Sequence, residues 1–267
     1  MNGSREVWQT VQRVRETAPL VQNITNYVSM DITANALLAF GASPAMVHAE
    51  EEVEEFIGIA SVLVVNIGTL SPSWVRAMVL ATDRASALGK PWVLDPVGAG
   101  ATAYRTAVAR DLSRRAPTVV RGNASEILAV AGAVAEATKG VDSVHASENA
   151  LDAARELAAA LGCVVAVTGA TDYVTDGGRV VSVTNGHPMM TRITALGCTA
   201  SALVAACLAV EPDALTATAH ALAALGVCGE VAAGNAEGPG TLRWRLLDEL
   251  YRLDEAALGG ARIAHVE

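Results

Sequence analysis

The chain has 267 residues, with 19 Lys and Arg against 28 Asp and Glu, a formal net charge of -9. Hydrophobic residues make up 52%, and the 23 glycines lift the apolar share to roughly 60%, above the usual 45–50%, which excludes intrinsic disorder. The acidic balance argues against nucleic acid and anionic membrane surfaces as partners, because both are bound largely through Lys and Arg. Four cysteines without a CxxC pair, and five histidines without a close-spaced pair, give neither a disulfide framework nor a zinc spacing.

The N-terminal stretch MNGSREVWQTVQRVRE is polar and has no signal-peptide run, so a cytoplasmic protein with reduced thiols is expected. Gln22-Asn23-Ile24-Thr25-Asn26-Tyr27-Val28 reads as a polar run ahead of a helix. Gly41-Ala42-Ser43-Pro44-Ala45-Met46 closes one helical segment and opens a short loop. Val62-Leu63-Val64-Val65-Asn66-Ile67 is a β-branched strand that stops at Gly68, and Ser71 starts a helix closed by Gly89. Pro91-Trp92-Val93-Leu94-Asp95, Thr118-Val119-Val120-Arg121 and Cys163-Val164-Val165-Ala166-Val167-Thr168 are further strands. Helices begin at Ser125 and span 153–161 between them. These strands are apolar on both faces, the mark of parallel strands covered by helices on either side in right-handed βαβ units.

Tyr173-Val174-Thr175-Asp176 and Arg179-Val180-Val181-Ser182-Val183 alternate instead, and Asp176-Gly177-Gly178 joins them as a hairpin expected at the sheet edge. Two Ala-rich helices follow near 198–210 and 214–233. Residues 193–210 carry no charge and approach the length of a membrane span, but their small polar residues and missing aromatic belt favour a buried core helix. A last amphipathic helix over 240–253 places Leu242, Leu246, Leu247 and Leu250 on one face. No linker or repeat divides the chain, so one domain over 1–267 is expected.

In layered α/β sheets, ligands sit beyond the carboxyl ends of the strands. Those ends carry Asn66, Asp95, Arg121-Gly122-Asn123 and Thr168-Gly169. Asp95-Pro96-Val97-Gly98-Ala99-Gly100 combines a carboxylate able to hold hydrated Mg²⁺ with glycines that let backbone approach a phosphate; a plain tight turn is the competing reading. The loop lacks the third glycine of GxGxxG, and Gly89-Lys90-Pro91 is no Walker A loop. Arg121 at its strand end can reach a phosphate. Asn123 can cap the next helix, and Glu126 lies in its first turn, with capping alone as the competing role.

Thr194-Ala195-Leu196-Gly197-Cys198-Thr199 opens the apolar block with small residues, leaving amide donors free for an anion. At that helix start the Cys198 thiol is expected below the usual pKa of roughly 8.5. The Met46 sulfur can pack on a flat apolar ligand, although core filling is the usual task of a Met.

Asn23-Ile24-Thr25-Asn26-Tyr27-Val28, Gly41-Ala42-Ser43-Pro44-Ala45-Met46, Asp95-Pro96-Val97-Gly98-Ala99, Arg121-Gly122-Asn123-Ala124-Ser125-Glu126-Ile127, the segment from Val167 to Asp176, Asn185-Gly186-His187-Pro188 and Gly197-Cys198 stand in this order over nearly the whole chain. Together they resemble the hydroxyethylthiazole kinase family of the ribokinase-like superfamily. The resemblance implies a three-layer αβα sandwich with a mostly parallel sheet, and a homotrimer with active sites near subunit boundaries. It implies transfer of the ATP γ-phosphate to the hydroxyethyl oxygen of 4-methyl-5-(2-hydroxyethyl)thiazole, with Mg²⁺. By carry-over, Asn26, Met46 and Ala195 bind the thiazole, and Arg121, Thr168 and Gly197 bind ATP. Asp95 and Glu126 organise the metal, and Cys198 stands where many ribokinase-like enzymes have an aspartate base. At Ala195 the family often has Gly. Alternatives are a related vitamin-precursor kinase acting on a hydroxymethylpyrimidine or pyridoxal, and a non-catalytic thiazole-binding protein.

Overall fold

The computed structural model of the chain describes residues 3–139 and 150–266. His145, one of the five histidines read from the sequence, lies outside them. The described strands are β1 (Leu20–Ile24), β2 (Ser43–Met46), β3 (Val62–Asn66), β4 (Trp92–Asp95), β5 (Val119–Asn123), β6 (Val164–Thr168), β7 (Asp172–Thr175), β8 (Val180–Val183) and β9 (Ile263–His265). They form one sheet in the order β2-β1-β3-β4-β5-β6-β7-β8-β9. Pairing is parallel from β2 through β6 and antiparallel from β6 to β9.

The alternation inside each strand explains the layers. Val62 and Val64 point into one core, Leu63 and Val65 into the other, so β3 needs cover on both faces. One face is covered by α1 (Gly3–Thr17), α2 (Met30–Phe40), α8 (Leu196–Leu208), α9 (Ala214–Gly234) and α10 (Pro239–Arg252). The other is covered by α3 (Val53–Ile59), α4 (Pro72–Ala87), α5 (Ala103–Ser113), α6 (Ala124–Lys139) and α7 (Ala150–Leu161). The expected three-layer α/β fold with a mostly parallel sheet is what the chain adopts.

Local signals act as read. The Ser71 hydroxyl accepts from the Trp74 amide at 3.3 Å, with Pro72 in the first turn of α4. The Asn123 side chain accepts from the Glu126 amide at 3.0 Å and caps α6. Every residue of α8 except Gly197 and Cys198 is buried, so the uncharged block is a core helix. One described helix, α9, is long and apolar enough to cross a membrane by length and composition, but 78% of its apolar window is buried inside the fold. In α10, Leu242, Leu246 and Leu250 are buried while Leu247 is only partly so.

Three strands depart from the sequence reading. Gln22 and Asn23 interrupt the apolar run of β1, yet both are buried because their amides find backbone carbonyls: Gln22 Nε2 donates to Val47 O and Val53 O, and Asn23 Nδ2 to Val21 O. The segment expected as a loop before Met46 is the edge strand β2, where Pro44 is tolerated because an edge leaves one side unpaired. The three-residue β9 pairs beyond β8, so the β7–β8 hairpin stands one place in from the edge.

Candidate active site

The parallel strands deliver their carboxyl ends side by side. Asn66 ends β3 and pairs in register with Asp95, which ends β4. Asn66 Nδ2 donates to Asp95 Oδ2 at 2.8 Å, and Ser201 Oγ of α8 donates to the same oxygen at 2.8 Å. Arg121 Nη1 stands 3.9 Å from it. Asp95 Oδ1 is buried without a partner. Burial pushes the Asp95 carboxyl up to about 6; the Arg121 charge and the Ser201 and Asn66 donors oppose this, and the Glu126 charge adds to it.

A chain of amides runs from Asp95 to Cys198. Asn26 Nδ2 donates to Asn66 Oδ1 at 2.9 Å and reaches Cys198 Sγ at 3.3 Å. Asp95 therefore connects to Cys198 through Asn66 and then Asn26, although the four residues come from four distant parts of the sequence. The Cys198 thiol runs against the expected direction. Burial, and then the Asp95 charge, push its pKa up, and the Asn26, Asn66 and Arg121 contributions offset only part. The helix start favours a thiolate, but loss of water and a neighbouring carboxylate outweigh it.

Arg121 Nη2 donates to Thr168 Oγ1 at 2.6 Å, tying the end of β5 to that of β6. A Cβ at Gly197 would lie 2.8 Å from Arg121 Nη1, so a larger residue there would push the guanidinium away from the first turn of α8. The first intrahelical bond of α8 runs from Thr199 N to Ala195 O, 3.0 Å. The amides of residues 196–198 precede it, and no side chain caps this end. Ala195 adopts φ +62 in the left-handed region, which costs a non-glycine residue about 1–2 kcal/mol and explains why glycine suits this position.

Glu126 faces the two neighbouring loops. Its Oε1 accepts from Gly98 N at 2.8 Å and its Oε2 from Asn123 N at 2.9 Å. Arg121, Thr168, Ala195 and Gly197 line a cleft of about 720 Å³ that extends over Asn185–His187 and Leu222. Asp172 also lines it and accepts from Gly169 N at 2.9 Å; burial pushes its carboxyl up to about 6, against that bond and the Arg121 charge. A shallower depression lined by Asp83, Ser86, Asp111, Arg114 and Arg115 lies where α4 and α5 end, away from these residues.

Met46 sits apart from the cleft, at the carboxyl end of β2 and in register with Asn23 of β1. Beyond those strand ends the His48 and Tyr27 rings flank Trp74, with centroids 4.5 and 4.9 Å away. Sequence reasoning missed this aromatic group, Ser201 and Asp172. Asn66 was legible only as a polar strand end.

Among the described residues, no group of three His, Cys, Asp or Glu side chains can hold a metal alone. The donor set instead fits Mg²⁺, which takes one or two carboxylates and fills its shell with water and substrate phosphates. Asp95 Oδ1 has no competing partner, and each Glu126 oxygen accepts only one backbone amide in the bonds above.

The family model for the hydroxyethylthiazole kinase family matches residues 11–256. The chain belongs to the hydroxyethylthiazole kinase family. The hydroxyethylthiazole kinases of Syntrophus aciditrophicus and Zea mays are 55% and 52% identical to it, each over 93% of this chain and over 92% and 89% of their own lengths. The solved hydroxyethylthiazole kinase of Pyrococcus horikoshii superposes with a TM-score of 0.91 at 46% identity, over 98% of this chain and all of that one. A pyridoxal kinase from Staphylococcus aureus, with a TM-score of 0.58 at 16% identity, shares the fold alone; it covers 79% of this chain and 88% of its own. Within the hydroxyethylthiazole kinase fold the cleft and the Cys198 network thus occupy the carboxyl edge of the sheet.

Proposed function

We propose that this chain, as one kinase domain, transfers the γ-phosphoryl group of ATP to the hydroxyethyl oxygen of 4-methyl-5-(2-hydroxyethyl)thiazole, in thiamine salvage in the cytoplasm. The observation that carries this reading is the convergence of Cys198, Asn26, Asn66, Asp95 and Arg121 beside the uncapped start of α8. Arg121, Thr168 and the Gly197 turn bind the triphosphate, and amides 196–198 face the charge that spreads over the transferring group. Asn26 orients the alcohol beside Cys198, Ala195 contributes its backbone, and Met46 packs on the thiazole ring. Cys198 Sγ accepts the alcohol proton when ionised. Asp95 and Glu126 would hold Mg²⁺, directly or through water, and the chemistry it supplies when bound is neutralisation of phosphate charge. Incubation with ATP, Mg²⁺ and the thiazole alcohol is expected to yield the phosphate monoester by mass spectrometry; thiazole binding in calorimetry without any monoester would favour the non-catalytic binder.

We propose a homotrimer with the thiazole near a subunit boundary. Tyr27 and Val28, next to Asn26, are apolar yet 70% and 59% exposed in the single chain, which supports cover by a second subunit there. Sedimentation giving a monomer at assay concentrations contradicts it.

Two variants separate the roles. Met46→Ala is expected to raise the thiazole KM about tenfold, with kcat/KM for ATP little changed, because a buried apolar contact is lost. The reverse pattern relocates the ring. Glu126→Gln is expected to raise the Mg²⁺ concentration for half-maximal rate several-fold, because it removes a charge beside Asp95. A magnesium titration matching the parent contradicts that role.

A further inference from the structure

Arg105 of α5 stands outside every role given above. Its Nη1 donates to Ile67 O at 2.7 Å and to Val97 O at 2.9 Å, and its Nη2 donates to Gly68 O at 2.8 Å. These carbonyls belong to two different turns: the one after Asn66 and the one after Asp95. Turn carbonyls have no ladder partner, and the planar fork of one guanidinium satisfies both sets.

The first turn shapes the seat of Asn26. Gly68 N donates to Asn66 Oδ1 at 2.9 Å, the oxygen that also receives Asn26 Nδ2. A Cβ at Gly68 would lie 2.5 Å from Asn26 Nδ2, so the Asn26 amide rests directly on this turn. That amide is the one that reaches Cys198. The second turn presents Gly98 N to Glu126 Oε1. Arg105 thus ties the support of the Asn26–Cys198 contact to the loop that Glu126 also holds.

We infer that Arg105 is a positioning residue for phosphoryl transfer, fixing the turns after β3 and β4 in one relative setting so that Asn26 and Asn66 address Cys198 and Asp95. It touches neither substrate in this account and acts through Gly68 and Val97. The inference rests on the proposed kinase reading for its effect on rate, but not for its effect on Cys198.

The test uses Arg105→Ala and Arg105→Lys in the full-length protein, assayed well below their Tm. For Arg105→Ala, kcat is expected to fall at least about tenfold, since small misplacements at a distance from the chemistry cost that much. The ATP dissociation constant is expected to stay within about threefold, because Arg121, Thr168 and Gly197 are untouched. A second readout needs no turnover. Cys198 is the half-buried thiol and Cys163, Cys207 and Cys228 are buried, so iodoacetamide at fixed pH reports on Cys198, located by peptide mass. Its alkylation rate is expected to change at least about threefold as the Asn26 contact loosens. Arg105→Lys, which replaces the rigid fork of two donor nitrogens with one ammonium, moves both readouts in the same direction by less, and carries the test if the alanine variant does not fold.

Unchanged kcat or unchanged alkylation in a folded variant overturns the inference. So does a parallel fall of kcat, ATP affinity and Tm, which marks a merely structural strut. If the parent protein fails to phosphorylate the thiazole alcohol, the kinase reading fails, and an altered alkylation rate still upholds the link from Arg105 to Cys198.

Discussion

Cys198→Ser lowers kcat about a hundredfold in the expected result, the lower range for a lost proton acceptor, and leaves the ATP dissociation constant within about threefold. The thiol contacts Asn26 and lies at the first turn of α8, while the nucleotide contacts come from Arg121, Thr168 and backbone amides. Binding and chemistry therefore separate at this residue. Burial and the Asp95 charge hold the thiol protonated above its usual range, so the parent kcat is expected to rise with pH on the alkaline side. The serine variant loses that rise, because a hydroxyl does not ionise there. Steady-state profiles from pH 6.5 to 9.5 check both features. An unchanged kcat removes Cys198 from the chemistry.

Asp95→Asn separates stability from activity. The carboxyl is 1% exposed and holds its proton up to about 6, against 3.8 for the free group. Because the folded state holds that proton more tightly than the unfolded chain, the stabilisation from protonation is full below about pH 4 and is lost as pH rises through about 6. Asp172 shifts the same way. The nucleotide-free parent is thus expected to have a higher Tm near pH 5 than at pH 7.5, apart from what its other groups contribute. The asparagine variant removes the cost of a buried charge and keeps an oxygen for Asn66 and Ser201, so at pH 7.5 it gains on the order of 1–3 kcal/mol. The same change lowers kcat by about a hundredfold or more, because the negative oxygen beside Arg121 and the proposed Mg²⁺ is gone. Calorimetric unfolding with and without the substitution tests the first half. A lower Tm for Asp95→Asn at pH 7.5 contradicts the burial argument, and retained kcat contradicts the site.

What the sequence made legible follows from short-range rules. Val62 to Ile67 reads as a parallel strand because both its faces are apolar, and Asp176-Gly177-Gly178 reads as a turn because glycine reaches φ +94 there. The β1 strand escaped because Gln22 and Asn23 are buried by hydrogen bonds that come from residues far along the chain or from the strand itself. The β9 strand escaped because three residues carry no periodicity. In the site, Asp95, Arg121 and Thr168 were visible as polar strand ends. Ser201 was not, because an interior helix serine usually bonds its own backbone, and only folding brings it to Asp95 across 106 positions. The direction of the Cys198 shift was misread because the helix dipole is local in sequence, whereas burial and Asp95 are not.

The measurement closest to the central claim is ADP release with the thiazole alcohol, a hydroxymethylpyrimidine and pyridoxal as competing acceptors, each at saturating ATP and Mg²⁺. The value of kcat/KM for the thiazole alcohol is expected to exceed the other two by about a hundredfold or more, the discrimination a site shaped to one acceptor supplies. Release of ADP that depends on pyridoxal or the pyrimidine but not on the thiazole alcohol would contradict it.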